Sequence, residues 1–562
     1  MTRDATGALR FGTGTTAAVV TLMATSYLVL SGTSARPQSS ESTTEISKAG
    51  GWVTTASSTD AVAQSTQQQR NRNETIVPKQ YLGGDVDAGG NQEASAKNAK
   101  SGEKKRSSTK GAFRDDPKYS KKYDAAGQTD IYGGKTAVEP PRPLLEIGRE
   151  QYTSGIYDES STLFGKLNPL LPGLSVYGDW RTAMAYNSNN GKDIAQVATR
   201  LNLDVDLKIT ATERIHAFFT PFQDGNAKFT RFEFSGGDGD GRFTDELDFD
   251  PQTLFFEGDL GSIYSGVSGK YAGFDLPFTV GLFPLFLQNG IWANDAILGG
   301  AVTFPAKNSS TLGLSNYDLT FFAAFDNVDN ASLIGANGKV DNDHANLFGV
   351  TTFVDAFNGY IEAGYGFIQG TGAFDNVEQH FLTAAYSRRY ANTISNSTRL
   401  FANFGDDGHG NGDGFAFISE NSLISPLPLT LLPYANFFVG VGNPEPLVDG
   451  NNAGILKNVG INFETDALTG YPKLDDTASN TFGGALGVEY LFNLDQQLVF
   501  EVATVQPFEN DGIGAKAAQY GFGVRYQIPI TRSWLFRADA TYQIQEGQDD
   551  NFGFRTELRS KF

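Results

Sequence analysis

From residue 174 to the C-terminus, apolar and polar side chains alternate with a period of two. The clearest case is 200–209 (RLNLDVDLKI), where Leu201, Leu203, Val205, Leu207 and Ile209 alternate with Arg200, Asn202, Asp204, Asp206 and Lys208. Wound as a helix, this stretch would spread charge around its whole circumference, so it reads as a strand with two unlike faces. In residues 174–187, Val176, Trp180, Met184 and Tyr186 share one side, and Ser175, Asp179 and Arg181 the other. Residues 210–213 (TATE) form a tight reversal, and 214–221 (RIHAFFTP) return beside the preceding strand.

The same grammar continues to the end. Further strands are expected near 252–260, 274–288, 291–304, 316–327, 344–356, 359–369, 378–391, 394–404, 414–425, 432–442, 480–492, 497–508, 517–529, 532–545 and 551–562, making about 18 (16–18) in all. Short connectors (210–213, 357–358, 391–393, 493–496, 530–531) follow even strands. Long polar ones (222–251, 328–343, 370–377, 405–413, 443–479, 509–516) follow odd strands. That parity describes an up-and-down antiparallel barrel with trim turns on one rim and long loops on the other, and a Greek-key sandwich would not keep it. Connector 305–315 is long for the short rim, and 188–193 is short for the other.

Near the C-terminus one face carries Phe482, Leu486, Val488, Tyr490 and Phe492, then Tyr520, Phe522, Val524, Tyr526 and Ile528. The opposite face holds Glu489, Gln519, Arg525, Gln527, Arg537, Asp539 and Gln543. Hydrocarbon outside and water inside would produce this division, and about eighteen strands enclose an aqueous channel. The fold class is therefore all-β, a transmembrane barrel.

Composition agrees. The 562 residues include 64 Gly and 12% aromatics, which suits a many-stranded, turn-rich chain. Mean hydropathy is −0.30, compatible with a barrel that shows lipid only every second strand residue. There is no Cys, which removes disulfides, thiolate chemistry and a lipid-modified Cys. Residues 1–35 read as a secretory signal, with Arg3 and Arg10, an apolar core over 15–30 and small residues Thr33, Ser34 and Ala35. Residues 36–143 are low in complexity and polar, and read as disordered. The barrel is assigned to 144–562.

Residues 1–143 hold 19 Lys and Arg against 14 Asp and Glu, so with the whole chain at −20 the barrel portion carries −25. Such an acidic body argues against nucleic-acid binding and favours enrichment of cations.

The last strand (NFGFRTELRSKF) sets Phe552, Phe554, Thr556, Leu558, Ser560 and Phe562 on one side, with Asn551, Arg555, Glu557, Arg559 and Lys561 opposite. It resembles the closing strand of bacterial outer-membrane barrels, whose terminal Phe is read by the insertion machinery. That assigns the closure and insertion signal to Phe562, Phe554 and Phe552. With the architecture of 144–562, the chain resembles a Gram-negative-type outer-membrane porin. The resemblance implies passive diffusion of small hydrophilic solutes, contact with outer-membrane lipid, a homotrimer, and a loop folded into the pore as a constriction.

The constriction candidate is loop 222–251. Its Asp224, Asp238, Asp240, Asp245, Glu246, Asp248 and Asp250 face, in this reading, wall residues Arg181, Arg200 and Arg214. A transverse field between acidic loop and basic wall would filter solutes by charge. The run 236–247 is similar to a calcium loop but has Gly236 and Leu247 at the two outer ligand positions. Both it and 405–414 (GDDGHGNGDG) read as loops first, with weak divalent-cation binding as the secondary reading. No cofactor is expected. His216, His344, His380 and His409 are scattered and lack a nucleophile motif, so no enzyme is expected. The leading reading is a cation-preferring porin. Alternatives are a solute-specific channel, for instance for sugars stacking on wall aromatics such as Tyr177 and Phe218, and an adhesive barrel acting through its long loops.

Overall fold

The structure is a computed structural model. It describes residues 143–148 and 165–562, except 225–227, 237–240, 312, 336–339, 409–411, 425–430, 451–453, 458, 465–467, 493–495, 509–513 and 532. The expected signal sequence and all but the last residue of the low-complexity segment lie outside the described residues.

Eighteen strands make the wall. They are β1 (Gly173–Asn189), β2 (Lys192–Lys208), β3 (Arg214–Phe219), β4 (Pro251–Asp259), β5 (Pro277–Leu287) and β6 (Ala293–Ser309). Next come β7 (Leu314–Asp326), β8 (Ala345–Ala356), β9 (Gly359–Gly370), β10 (Glu378–Tyr390), β11 (Ile394–Asp406) and β12 (Gly414–Leu423). The last six are β13 (Leu431–Gly442), β14 (Thr481–Phe492), β15 (Gln496–Pro507), β16 (Gln519–Pro529), β17 (Trp534–Gln545) and β18 (Asn551–Lys561). Each pairs antiparallel with its neighbours in sequence, and β18 closes on β1 from Asp179↔Lys561 to Ser188↔Phe552. Phe562 completes the seam, exchanging backbone hydrogen bonds with Gly178 at 2.9 and 3.0 Å. The barrel is closed, so no edge strand is left to lipid.

The two irregular connectors have simple explanations. β6 and β7 run further than the alternation shows, with register shifts near Tyr317, and the turn between them is only 310–313. The first hairpin turns at Asn190 and Gly191, whose φ of 49° and 75° give the left-handed pair that matches strand twist. Between β4 and β5 the short rim carries a helix, α1 (Leu260–Ser268). Asp259 caps it by accepting from Ser262 N at 2.6 Å, and Gly269 at φ 67° ends it.

β3 is short and covers only 203–208 of β2. The upper part of β2 pairs instead with Thr230–Ser235, which forms a hairpin with Arg242–Thr244. Part of loop 222–251 is therefore wall.

Phe482, Leu486, Phe500, Val502, Phe522 and Leu558 are 39–53% exposed on the outside, whereas the alternate residues Thr481, Glu501, Ala503, Gln543 and Glu557 are at most 7% exposed. An apolar surface of this extent, encircling the molecule, matches hydrocarbon and not water. Polar outward groups are satisfied locally: Trp180 donates to Thr199 Oγ1 at 2.7 Å. No helix among the described residues is long and apolar enough to cross a membrane, so the crossing is made by strands.

The inner face divides into two halves. Along β16–β18 and β1–β2 it is charged. Along β5–β13 it is largely apolar, with Phe283, Leu347, Ile368, Phe381, Phe401 and Ile418 buried beside polar residues such as Gln379, Arg399 and Asn403. That second half corrects the expectation that inward-facing residues meet water throughout.

Candidate functional site

What covers the apolar half is the loop 443–479, between β13 and β14. Its Leu447, Val448, Ile455, Leu456, Val459, Phe463 and Leu474 have no exposure and belong to one core with the wall residues. A loop carrying this many large apolar residues cannot be stable in water and folds where they can be covered. Val448–Asp449 pairs in parallel with Ala293–Asn294 at the start of β6. The wall makes room for it: a Cβ on lumen-facing Gly366 would lie 2.5 Å from Leu447 Cδ1, and one on Gly523 2.9 Å from Ile461 Cδ1.

Polar contacts fix the loop to β15 and to the charged half. Glu501 on β15 accepts from Ile461 N, Asn462 N and Asn462 Nδ2, each at 2.9 Å, and from the Tyr434 hydroxyl at 2.5 Å. Thr541 Oγ1 donates to Asn462 Oδ1 at 3.0 Å. Arg525 bridges Glu464 of the loop, at 2.7 Å, and Asp539 of β17, at 2.6 Å. Further along, Thr469 O accepts from Asn187 Nδ2 at 2.5 Å and Gln196 Nε2 at 2.7 Å, and the Tyr471 ring lies 5.2 Å below the Arg555 guanidinium. The loop thus crosses the lumen and is anchored on β6, on β15–β17 and on β1–β2.

Beneath it, arginines and carboxylates are interleaved along the strands of the charged half, with Arg200, Arg181 and Arg559 side by side in one row. Arg555 meets Asp539 at 2.6 Å, Arg559 meets Glu557 at 2.7 Å, and Arg181 meets Asp179 at 2.6 Å. Asp179 also accepts from Asn202 Nδ2 at 3.0 Å and faces Arg559 at 3.9 Å. Paired in this way, cations and anions can line a narrow passage without leaving a buried charge uncompensated.

Arg181 and Arg200 stand directly opposite one another in the β1–β2 register, both turned into the lumen. Arg214 sits at the short-turn end, 3.3 Å from Asp206. Asp224 is exposed at the long-loop rim, 3.8 Å from Lys228. Asp245 is exposed there too, the backbone of Glu246 bonds Thr230 Oγ1, and Asp248 accepts from Asp250 N at 2.8 Å. Asp238 and Asp240 lie outside the described residues. Loop 222–251 reaches the lumen through Phe229, which is buried against Ala183, Ala198 and Leu468, with Arg200 5.7 Å over its ring. Phe552 and Phe554 lie on the outer face of β18, as the terminal-strand pattern requires.

The residues that hold the lumenal loop (Glu501, Thr541, Asn187, and Asn436, whose Nδ2 donates to Val459 O at 2.5 Å) were not marked by any spacing in the sequence. The available signal was the loop itself, too apolar for a solvated connector. His216 points inward, 3.0 Å from Glu257 and stacked on Phe255, while His380 faces outward among Tyr365, Phe367 and Phe404. His344 bonds Asp341 at 2.8 Å in the loop after β7, and His409 lies outside the described residues.

No protein-family model matches the sequence, and no curated protein is similar to it. Among solved structures the chain is similar to a BenF-like porin from Pseudomonas fluorescens Pf-5, at 10% identity and a TM-score of 0.47, over 69% of this chain and 98% of that one. It is also similar to OccK2 (OpdF) of Pseudomonas aeruginosa (9%, 0.46, 69% and 97%) and to OccAB4 of Acinetobacter baumannii (11%, 0.45, 69% and 98%).

Proposed function

We propose that this protein is an outer-membrane porin of a Gram-negative-type bacterium, admitting small hydrophilic solutes by diffusion through a lumen that loop 443–479 narrows. The observation that carries the reading is the pairing of an apolar outer belt with a charged inner wall on one closed barrel. A wall of eighteen strands is too wide for side chains alone to fill. An inward loop is what reduces such a lumen to a selective passage. Cation preference is supported by the acidic long-loop rim, where Asp245, Asp250, Asp326, Asp343, Asp375 and Asp549 are exposed or half-exposed. A mouth of that sign concentrates cations before they enter.

A second reading, a solute-specific channel, is favoured by the ladder of paired arginines and carboxylates. It offers both charges to a solute in fixed positions, as a dipolar or zwitterionic molecule would need. The insertion signal at Phe562, assembly as a trimer and a screening role for Asp224, Asp245, Glu246 and Asp248 opposite Arg181 and Arg200 belong to the same proposal.

Planar-bilayer recording tests it. The purified protein should give discrete conductance steps, and a salt gradient should give a reversal potential on the cation side. Absence of steps from inserted protein contradicts the channel. A reversal potential on the anion side contradicts the selectivity alone.

A further inference from the structure

On the outside of the wall, near the short-turn end of β9–β11, a groove of about 370 Å³ opens among side chains that face hydrocarbon. Phe357, Ile361, Ala384, Tyr386, Thr398 and Leu400 line it. Ile361, Tyr386 and Thr398 stand in one row across the three strands. In the next row toward the middle of the membrane, Ala363 and Ala384 are too small to fill the space beside Leu400.

The local backbone keeps this groove open. A Cβ on Gly359 would lie 2.9 Å from Tyr386 Cε2 and 3.2 Å from Arg388 Cβ, so the missing side chain lets the Tyr386 ring lie across β9. The Tyr386 hydroxyl then donates to Phe357 O at 2.8 Å. Phe357 turns the chain in the left-handed region, at φ 54°, a costly conformation for an aromatic residue, and is 75% exposed at the lip of the groove.

One row nearer the turns, Arg388, Asn396 and Asn421 stand side by side on the same outer face. Asn396 Nδ2 donates to Asn421 Oδ1 at 2.8 Å, and Asn421 Nδ2 to Ala435 O at 2.9 Å, so the two amides are satisfied within the wall. Arg388 is left with less. Its guanidinium lies 5.1 Å from the centre of the Tyr390 ring, and its Nε is buried with no hydrogen-bond partner. A shielded donor on a cation is relieved when an anionic oxygen meets it. The polar row and Tyr390 mark the level of the lipid headgroups. A cation at that level, with an apolar groove running from it toward the membrane centre, repeats the order of parts in a phospholipid.

We propose that this groove binds a phospholipid of the periplasmic leaflet, with one acyl chain over Ala384 between Ile361 and Leu400 and the phosphate on Arg388. The short turns of such barrels face the periplasm, which sets the leaflet. Arginine suits the headgroup because its planar fork presents parallel N–H groups to phosphate oxygens. The site needs the barrel in its membrane but not conduction, so its failure would leave the channel reading standing.

The test is native mass spectrometry of the full-length protein in detergent, delipidated and then titrated with dioleoyl phosphatidylglycerol. One lipid per chain is expected to stay bound, whereas dioleoylglycerol, which lacks the phosphate, is not. Arg388→Gln, which removes the charge, and Ala384→Phe, which fills the groove, should each weaken retention about tenfold. Ala540→Phe, on the outer face of β17 opposite Phe554, should leave it unchanged. Every variant is scored on material that keeps the parent's heat-modifiable gel mobility, which reports the closed barrel. Absence of a retained lipid overturns the proposal, as does equal retention of dioleoylglycerol. Retention that Arg388→Gln and Ala384→Phe leave unchanged, or that Ala540→Phe weakens as much, overturns it too. An oligomer that Ala384→Phe splits into single chains would give the groove to a second copy of the chain and overturn it as well.

Discussion

The carboxylate of Glu501 accepts hydrogen bonds from both the backbone and the side-chain amide of Asn462, each at 2.9 Å, so one residue of the wall fixes a loop crossing the lumen. Bonds to an ionised acceptor away from bulk water are each worth more than neutral ones, about 1.5–3 kcal/mol. Replacing Glu501 by Ala would release Ile461 and Asn462 together and leave their amides unpaired.

The expected result of Glu501→Ala is a larger and noisier single-channel conductance, with the barrel still closed. Glu501→Gln keeps an acceptor oxygen and should fall between the parent and Ala. Bilayer recordings on the three proteins check this, and identical traces from all three would show that the loop is held elsewhere.

Close approach of the loop to the wall gives a second handle. At Gly366 a branched side chain would enter the space of Leu447. Gly366→Val should therefore push out the root of the loop and make it a preferred site for limited proteolysis, without changing the strand content seen by circular dichroism. Gly273, at which a Cβ would meet nothing within 4 Å, should accept Ala with little effect on the same assay.

The two faces of the wall should respond oppositely to charge. Phe500 is about half exposed on the outside of β15, so Phe500→Arg should cost about 2–4 kcal/mol in urea unfolding from lipid bilayers, the range for a cation near the bilayer midplane. The same substitution at lumen-facing Thr541 should cost less and change conductance instead. Equal losses at both positions would contradict the assignment of faces.

The buried acids of the long loops predict a pH dependence. Burial raises Asp329 to about 6, and burial with the neighbouring Asp407 raises Glu445 to about 7. Both values lie above those of the unfolded chain, so the folded protein binds these protons more tightly. The stability they contribute is complete below about pH 4 and is lost as pH rises through about 6 and 7. The unfolding midpoint should fall between about pH 5 and pH 8, and Glu445→Gln should flatten the upper part of that fall.

Much of the barrel was legible because hydrocarbon imposes a period-two pattern that nothing else in the chain mimics. Strands such as 200–209 and 551–562 announce themselves, and each of the eighteen stretches that alternation marks corresponds to a wall strand. Its limits show at 192–199 in β2, where Ala195, Gln196, Val197 and Ala198 differ too little in polarity to reveal the strand's first half. The lumenal loop was hidden for another reason. Leu447, Ile455, Val459, Phe463 and Leu474 have no period, because an irregular loop buries side chains singly into gaps left by a distant wall. Those gaps depend on small residues such as Gly366 and Gly523, and their meaning emerges only when β9 and β16 face across the lumen. Charge pairs follow the same logic. Arg181 and Asp179 were visible as one face of β1, but Arg559 joins them only through closure of the first strand on the last.

The most direct test of the central claim is the conductance of a protein in which residues 447–476 are replaced by a short Gly-Ser linker, recorded beside the parent in the same bilayer. In the proposed reading the lumenal loop forms the constriction, so the shortened protein should keep its heat-modifiable mobility and conduct several-fold more per channel, with weaker ion selectivity. A correctly inserted, shortened barrel with the parent's conductance and selectivity would place the constriction elsewhere and contradict the account.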